Sequence, residues 1–417
     1  MIPAIRGTHD ILPGEVEKWR HVERVARELC ARYGYLEIRT PVIEREELFA
    51  KGTGETTDIV QKEMYQFTDK GGERVTLRPE ATPSLVRAYV QHQLEQKLPA
   101  AKLYALGPMF RYERPQKGRY RQFHQLDVEV FGASDPAVDA EVIDLAWVLV
   151  DRLGITGAEL IVNSVGCPAC RPKFHAALLE ALGDDLSKLC GDCQRRAATN
   201  PLRIYDCKVE ADQPIIDALP HSIDYLCEPC ATHFSQVQHH LTAWEIPWSL
   251  SHRLVRGLDY YTRTTFEILG QALGAQNALL GGGRYDGLVE RLGGPDRTGI
   301  GFAAGLERLV LALPEGAGAD TLAPAVVVAI GDEGRDDALR LLRELRQADI
   351  PAEMALDARG VRAQMKRADR VGARVVLIVG GDELARGEVT LRDMRTGDQQ
   401  AVARPEAVEA ARILMSE

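Results

Sequence analysis

Two apolar runs, residues 103–112 and 123–131, bracket a short polar segment dense in arginine, and this arrangement restricts the fold more than any other feature of the chain. Apolar runs of this kind predict strands, and a connection as short as 113–121 predicts that they pair antiparallel. Arg111, Arg114, Lys117, Arg119 and Arg121 crowd into the connection and its borders. Such a charge run ordinarily forms a solvated loop. Arg111 and Gln125, however, lie next to apolar strand residues, where an unpaired charge or amide is costly. A polyanion would account for them, because guanidinium groups grip phosphate with a planar fork of donors and Phe123 offers a ring for a base to stack on.

Around this hairpin the pattern is mixed. Residues 15–33 place Val16, Trp19, Val22, Val25, Ala26 and Leu29 on one helical face. Residues 35–43 alternate like a strand, with Pro41 marking an edge or irregularity. Short strands are expected at 75–77 and 266–269, and helices at 84–94 and 303–313. The Gly-, Pro- and Ala-rich stretch 314–324 reads as a domain boundary. Beyond it, strands at 325–330, 352–356 and 375–379 alternate with helices at 336–347, 359–371 and 406–415, the signature of a small α/β domain. The expected division is 1–323 and 324–417, with residues 167–245, mostly helical in pattern, inserted into the first part.

The net charge of −10 disfavours a broad, nonspecific nucleic-acid binder but not an enzyme with a local basic path. The distal segment 325–417 has 15 Lys and Arg against 17 Asp and Glu, a net of −2. Arg359, Arg362, Lys366, Arg367 and Arg370 nevertheless share one helical face there, either a solvated face or an RNA contact. No run of about 18 apolar residues suggests a membrane helix, and the N-terminus lacks an apolar signal core, so a cytoplasmic location is expected.

Three further segments carry candidate chemistry. Glu80 is held between Pro79 and Pro83 before a helix, as a cap or as a partner for a cationic amino group. Arg256-Gly257-Leu258-Asp259-Tyr260-Tyr261 is followed by Gly281-Gly282-Gly283-Arg284-Tyr285-Asp286, whose glycines do not fit a phosphate loop because no Lys-Ser or Lys-Thr follows. They are expected to let the backbone approach a ligand closely. Finally, a small-residue strand from Gly299 feeds a helix bearing Glu307 and Arg308, the arginine either salt-bridged at the surface or aimed into a cleft.

Seven of the eight cysteines fall in the insertion: the pairs Cys167/Cys170, Cys190/Cys193 and Cys227/Cys230, and a single Cys207. Disulfides are improbable in a cytosolic chain of this size. The pairs have the spacing of structural zinc ligands, and which of them would serve is open.

Taken together, these segments resemble the histidyl-tRNA synthetases, a class II family. Arg6-Gly7-Thr8-His9-Asp10 looks like the family's start. The stretch 35–49 with Pro41 resembles motif 1, Arg111 and Glu113 motif 2, and Gly301 to Arg308 motif 3. The peptides around Arg256–Tyr261 and Gly282–Asp286 resemble the two peculiar to histidine enzymes.

The resemblance implies an α+β class II catalytic domain, an antiparallel sheet flanked by helices, with a mostly helical insertion and a C-terminal α/β anticodon-binding domain. It implies ATP-dependent attachment of L-histidine to tRNA(His) through histidyl-adenylate, with ATP and Mg²⁺ required. Arg111 and Arg256 would be catalytic and grip the α-phosphate. Arg119 and Arg308 would hold the outer phosphates, Glu113 would contact adenine and Phe123 would stack on it. Glu80, Thr82, Gln125, Glu129, Tyr260, Tyr261 and Tyr285 would bind histidine. The family does not generally require zinc. A homodimer is expected through 35–49, where Leu36, Ile38, Val42, Ile43, Leu48 and Phe49 supply more apolar surface than one edge strand needs.

Two rivals remain on the sequence. The regulatory subunit of ATP phosphoribosyltransferase looks like such a synthetase without aminoacylation, and predicts eroded phosphate-binding arginines and no distal domain. A class II synthetase for another amino acid is disfavoured by the Arg256–Tyr261 peptide.

Overall fold

In the computed structural model, residues 2–55, 57–271, 277–318, 323–356 and 360–416 are described. Residues 319–322 of the expected boundary, and Arg359, lie outside them. The chain divides into two compact units, Met1–Ala319 and Asp320–Glu417.

The first unit is built on an eight-stranded sheet. Its strands in chain order are β1 (Leu36–Glu37), β5 (Ala101–Phe110), β6 (Gln122–Phe131), β7 (Ala158–Ser164), β8 (Trp248–Leu250), β9 (Thr262–Gly270), β10 (Ala278–Arg284) and β11 (Gly299–Gly305). The spatial order is β1-β5-β6-β11-β10-β9-β7-β8, antiparallel in the centre and parallel only at the outermost pair on each side. A separate three-stranded sheet, β2-β4-β3, is formed by β2 (Ile43–Arg45), β3 (Tyr65–Thr68) and β4 (Arg74–Leu77).

The expected hairpin forms, with Gly107 opposite Gln125 and Ala105 opposite Asp127. Its period-2 alternation sorts residues to two faces. Leu126, Val128 and Val130 join the main core with the helices Val16–Arg32, Pro136–Arg152 and Glu228–Ala243. Leu103, Ala105 and Met109 face the other way, toward Leu85, Tyr89 and Tyr285.

Three expectations change. Residues 35–43 are not one strand. Backbone pairing stops before Pro41, which lacks an N–H, so β1 adds to the large sheet and β2 to the small one. The helix expected at 303–313 begins only at Leu306, because Ala303 to Gly305 still belong to β11. The apolar stretch proposed for pairing also divides: Leu48 and Phe49 are buried within the unit, while Leu36 and Ile43 are 55% and 52% exposed. Among the described residues no helix is long and apolar enough to cross a membrane.

The second unit has β12 (Ala325–Ala329), β13 (Ala352–Met354), β14 (Val375–Val379), β15 (Glu388–Asp393) and β16 (Gln399–Ala403) in the order β13-β12-β14-β15-β16. The first three are parallel and the last two antiparallel additions. Helices Arg335–Gln347 and Ala407–Ser416 cover one face and Val361–Arg370 the other. Arg362, Lys366, Arg367 and Arg370 are exposed on that last helix, and Arg367 pairs with Glu353 at 3.1 Å.

A buried ion pair ties the first unit together. Arg284 at the end of β10 and Asp139 at the start of Pro136–Arg152 are both fully buried and joined, with Arg284 Nε 3.2 Å from each carboxylate oxygen. His233 adds a contact to Asp139 at 3.1 Å. Burial opposes the Asp139 charge, but His233 and Arg284 outweigh it and hold its pKa below the usual value. Removing one member of such a pair strands the other, at a cost of about 3–5 kcal/mol. Arg284→Met is therefore expected to lower the urea midpoint of the first unit sharply. Tryptophan fluorescence reads this unit selectively, because Trp19, Trp147, Trp244 and Trp248 all lie in it. Asp139→Leu combined with Arg284→Met should recover part of the loss, and no loss in the single variant would show that the pair does not matter to stability.

Candidate active site

The face of the sheet away from the main core bounds a cavity of about 460 Å³. Its walls include Arg111, Glu113, Arg119, Phe123, Arg256 and Arg308, and also Glu80, Thr82, Gln125, Glu129, Tyr260, Tyr261 and Tyr285. The residues that the resemblance assigns to catalysis, ATP and histidine thus meet in one space, although the segments that bear them are far apart in the chain.

One end is cationic. Arg111 follows β5, with its guanidinium 5.2 Å from the Phe123 ring centroid and its Nε donating to the Pro79 carbonyl at 2.8 Å. Arg119 lies 3.1 Å and Arg111 3.7 Å from Glu113. Arg308 projects from the first turn after β11, donating from Nη1 to the Ala278 carbonyl at 2.6 Å. Burial lowers the Arg308 pKa, and neighbouring Arg119 pushes the same way, against the opposing pull of Glu113 and Glu267. Arg256 donates to Glu267 and stands 5.5 Å from the centroid of Tyr261. Burial works against its charge, but Glu267 and Tyr261 more than compensate, and its pKa is raised.

The other end is carboxylic. Gln125, Asp127 and Glu129 alternate on one face of β6, and all three line the cavity. Glu129 accepts from Thr82 Oγ1 at 2.6 Å and from the Tyr285 hydroxyl. Glu80 accepts from Thr53 Oγ1 and from the Tyr260 hydroxyl, the latter at 2.8 Å. Burial raises the pKa of Glu129 and of Asp127 to about 8 each, and raises that of Glu80. Gln125 Oε1, Asp127 Oδ2 and Arg256 Nε are buried with no hydrogen-bond partner among the described residues. Buried acceptors and donors of this kind are costly unless a ligand meets them.

Glycine makes this geometry sterically feasible. A Cβ at Gly301 would overlap the Glu129 carboxylate, and one at Gly281 would overlap the Arg256 guanidinium.

Several lining residues had no signal in the sequence reading. Glu267 is the counter-ion of Arg256, and Arg203 and Asp206 reach the cavity from the insertion, whereas Glu307, expected beside Arg308, accepts the His124 backbone N–H at 2.9 Å. Arg203 lies 3.6 Å from both Asp58 and Asp206. Alternation along β9 marks Glu267 as facing the same way as Thr265, but neither insertion residue belongs to a recognisable motif.

Comparison with known proteins narrows the chemistry. Residues 7–309 match the family model described as histidyl-tRNA synthetase, and residues 324–413 match one described as an anticodon binding domain. A histidine--tRNA ligase of Desulforamulus reducens is 52% identical over 407 residues, covering 97% of each chain. One from Geobacter sulfurreducens is 49% identical over 415 residues, covering 99% of this chain and 100% of the relative. The crystal structure of the apo histidyl-tRNA synthetase of S. aureus superposes with a TM-score of 0.83 at 38% identity, covering 98% of this chain and 99% of that one. The sheet, the cavity and both family models agree: the chain belongs to the histidyl-tRNA synthetases, the class II ligases that attach histidine to tRNA.

Proposed function

We propose that the cavity binds ATP and L-histidine together and joins them as histidyl-adenylate before the histidyl group passes to the terminal ribose of tRNA(His). The observation that carries this reading is the polarity of the cavity: arginines at one end, and buried carboxyls with tyrosine hydroxyls at the other. A polyphosphate and an ammonium group fit those ends in that order.

At the cationic end, Arg111 and Arg256 take the α-phosphate, and Arg119 and Arg308 the outer phosphates. Phe123 stacks on adenine and Glu113 accepts from its amino group. Attack by the histidine carboxylate on the α-phosphate places negative charge on phosphate oxygens, and preorganised cations stabilise that charge without reorganising. Mg²⁺ supplies further charge neutralisation. Glu113 and Glu267 are each paired with an arginine, while Glu63 and Glu307 also line the cavity; phosphate and water would supply the ion's remaining oxygens.

At the carboxylic end, Glu80 with Tyr260, and Glu129 with Thr82 and Tyr285, form two acceptor groups whose donors are already in place. With Gln125 and Tyr261 they supply what histidine presents: an ammonium group to neutralise, and an imidazole needing both a donor and an acceptor. Polar recognition of this kind rejects analogues lacking the matching groups by about 10⁴–10⁵-fold. The distal unit makes the tRNA-selective contacts. Eight free cysteines suit a reducing cytoplasm. Pairing of two chains would cover Leu36 and Ile43 at exposed strand edges.

Three outcomes are expected. Arg256→Ala should cut histidine-dependent pyrophosphate exchange by about 10²–10³-fold, measured at a temperature where the variant, which leaves Glu267 without its partner, is still fully folded; near-normal exchange would remove Arg256 from the chemistry.

The second outcome follows from linkage. Glu129 has a folded pKa of about 8 against an ordinary 4.5. Its contribution to stability is therefore full below about pH 4.5 and is lost as the pH rises through about 8. Glu129→Gln should gain melting temperature relative to the unliganded wild type as the pH goes from 5 to about 9. A pH-independent difference would place the Glu129 carboxyl outside that range.

Third, sedimentation at micromolar concentration should give about twice the 46.0 kDa chain mass, and Ile43→Glu should shift the protein toward monomer. Leu48 is unsuited to this test, since a charge there would enter the core. A fully active monomer would defeat the interface.

A further inference from the structure

The insertion brings its seven cysteines into two groups. Sγ of Cys167 lies 3.7 Å from that of Cys170 and 3.8 Å from that of Cys227, and Cys230 completes the set. Separately, Sγ of Cys190 lies 3.8 Å from that of Cys207, whose thiol is 3.2 Å from Asp212 Oδ2, and Cys193 is the fourth member. In each group the four candidate ligand atoms lie within 4.8 Å of one another. We propose that the insertion holds two structural zinc ions, one in a Cys167–Cys170–Cys227–Cys230 site and one in a Cys190–Cys193–Cys207–Asp212 site.

The geometry favours a metal over the other fates of clustered thiols. A tetrahedron with Zn–S of about 2.3 Å has S···S edges of about 3.8 Å, which matches the measured separations. A disulfide requires about 2.05 Å, and all eight cysteines are free. The backbone is already shaped as a ligand cradle. In the first site both cysteine pairs turn directly into helices, with Cys170 N–H bonded to the Cys167 carbonyl and Cys230 N–H to the Cys227 carbonyl, each at 2.9 Å. Cys227 N–H also donates to Cys170 Sγ at 3.1 Å. In the second, Val209 N–H donates to Cys207 Sγ at 3.4 Å and Cys190 N–H to both Asp212 oxygens at 3.1 and 3.2 Å. Such donors orient metal ligands and disperse the charge of thiolates. Cys170, Cys193, Cys207, Cys230 and Asp212 are all at most 5% exposed. Four thiolates, or three and a carboxylate, would leave net charge −2 around Zn²⁺, and binding would release the thiol protons.

The insertion also has a structural need for such ions. It is built of short helices and 3₁₀ turns around a small core of its own, and small modules are commonly stapled by metals. The first ion would join the two strands of chain that enter and leave the insertion. The second would close the segment between Cys193 and Cys207, which presents Arg203 and Asp206 to the cavity and whose Asn200 donates to Asp259 at 2.8 Å.

The test is metal stoichiometry on the full chain. Protein reconstituted with Zn²⁺ and freed of loosely bound metal should hold two zinc ions by mass spectrometry of the metal. Cys227→Ser and Cys207→Ser should each leave one, and the double variant none. Replacement by Co²⁺ in the wild type should give thiolate-to-cobalt charge-transfer and tetrahedral d–d bands at two equivalents. This readout holds even if a variant misfolds. Asp212→Ala should speed zinc transfer to a chromophoric chelator from one site only. Zinc below one equivalent, with all thiols either reactive or oxidised to disulfides, would overturn both sites. A single equivalent insensitive to Cys207→Ser would overturn the second, and one insensitive to Cys227→Ser the first.

Discussion

Three side chains on one strand, Gln125, Asp127 and Glu129, are the constraint around which the first unit is arranged. Strand periodicity sends Leu126, Val128 and Val130 into the core and these three to the opposite face, where water is largely excluded. Buried carboxyls need donors or counter-charges. Thr82 and Tyr285 serve Glu129, and Arg78 is the charge that most opposes ionisation loss at Asp127. Arg78 is itself fixed by the carbonyls of Pro108 and Thr40 at 2.9 and 3.0 Å. Each of these partners comes from a different segment, so satisfying one strand's polar face fixes the helix after Pro79, the end of β5 and the end of β10 at once.

The cationic end shows a different economy of charge. Its arginines are not bare: Arg256 is held by Glu267, Arg119 by Glu113, and Arg308 by main-chain carbonyls. These contacts set the guanidinium groups in place in advance, so little reorganisation would accompany the binding of an anion. The glycines of β10 and β11 are part of the same arrangement, because they remove the side chains that would otherwise occupy the positions of Arg256 and Glu129.

What could be read in advance follows from how local each signal is. The hairpin was legible because alternation and a short charged connection are properties of neighbouring residues. The segments bearing the cavity residues were legible through their resemblance to a family, and the cavity itself, formed by contacts across the chain, was not. Strand β10 has little sequence signal because three glycines suppress the hydrophobic alternation by which strands are recognised, although Leu279 to Arg284 are all buried. In the second unit β15 carries a short signal of its own, for Val389 and Leu391 alternate with Thr390 and Arg392 as a half-buried strand should. Arg203 and Asp206 lie in a short 3₁₀ helix, Pro201–Asp206, where only the fold decides which residues face the cavity. Cys207 was isolated in the sequence for the same reason: Asp212, the carboxylate beside it, follows no ligand spacing that can be read linearly.

The place of the insertion has a topological cause. β7 and β8 are parallel neighbours, and parallel neighbours cannot be joined by a tight turn; they require a crossover. Helix Glu228–Ala243 makes that crossover and packs on Pro136–Arg152, so it belongs to the catalytic core rather than to an appendage. The remaining insertion residues precede it, where extra chain costs the sheet nothing. The helix then returns information about the insertion to the site: its His233 meets Asp139, which holds Arg284, the residue directly before Tyr285. Tyr285 in turn donates to Glu129. A buried chain of contacts therefore runs from the crossover helix to the carboxylic end of the cavity. Displacement of that helix would reach the carboxylic end through a polar network whose members are expensive to leave unpaired, while the cationic end, held by its own counter-ions and carbonyls, would feel it least.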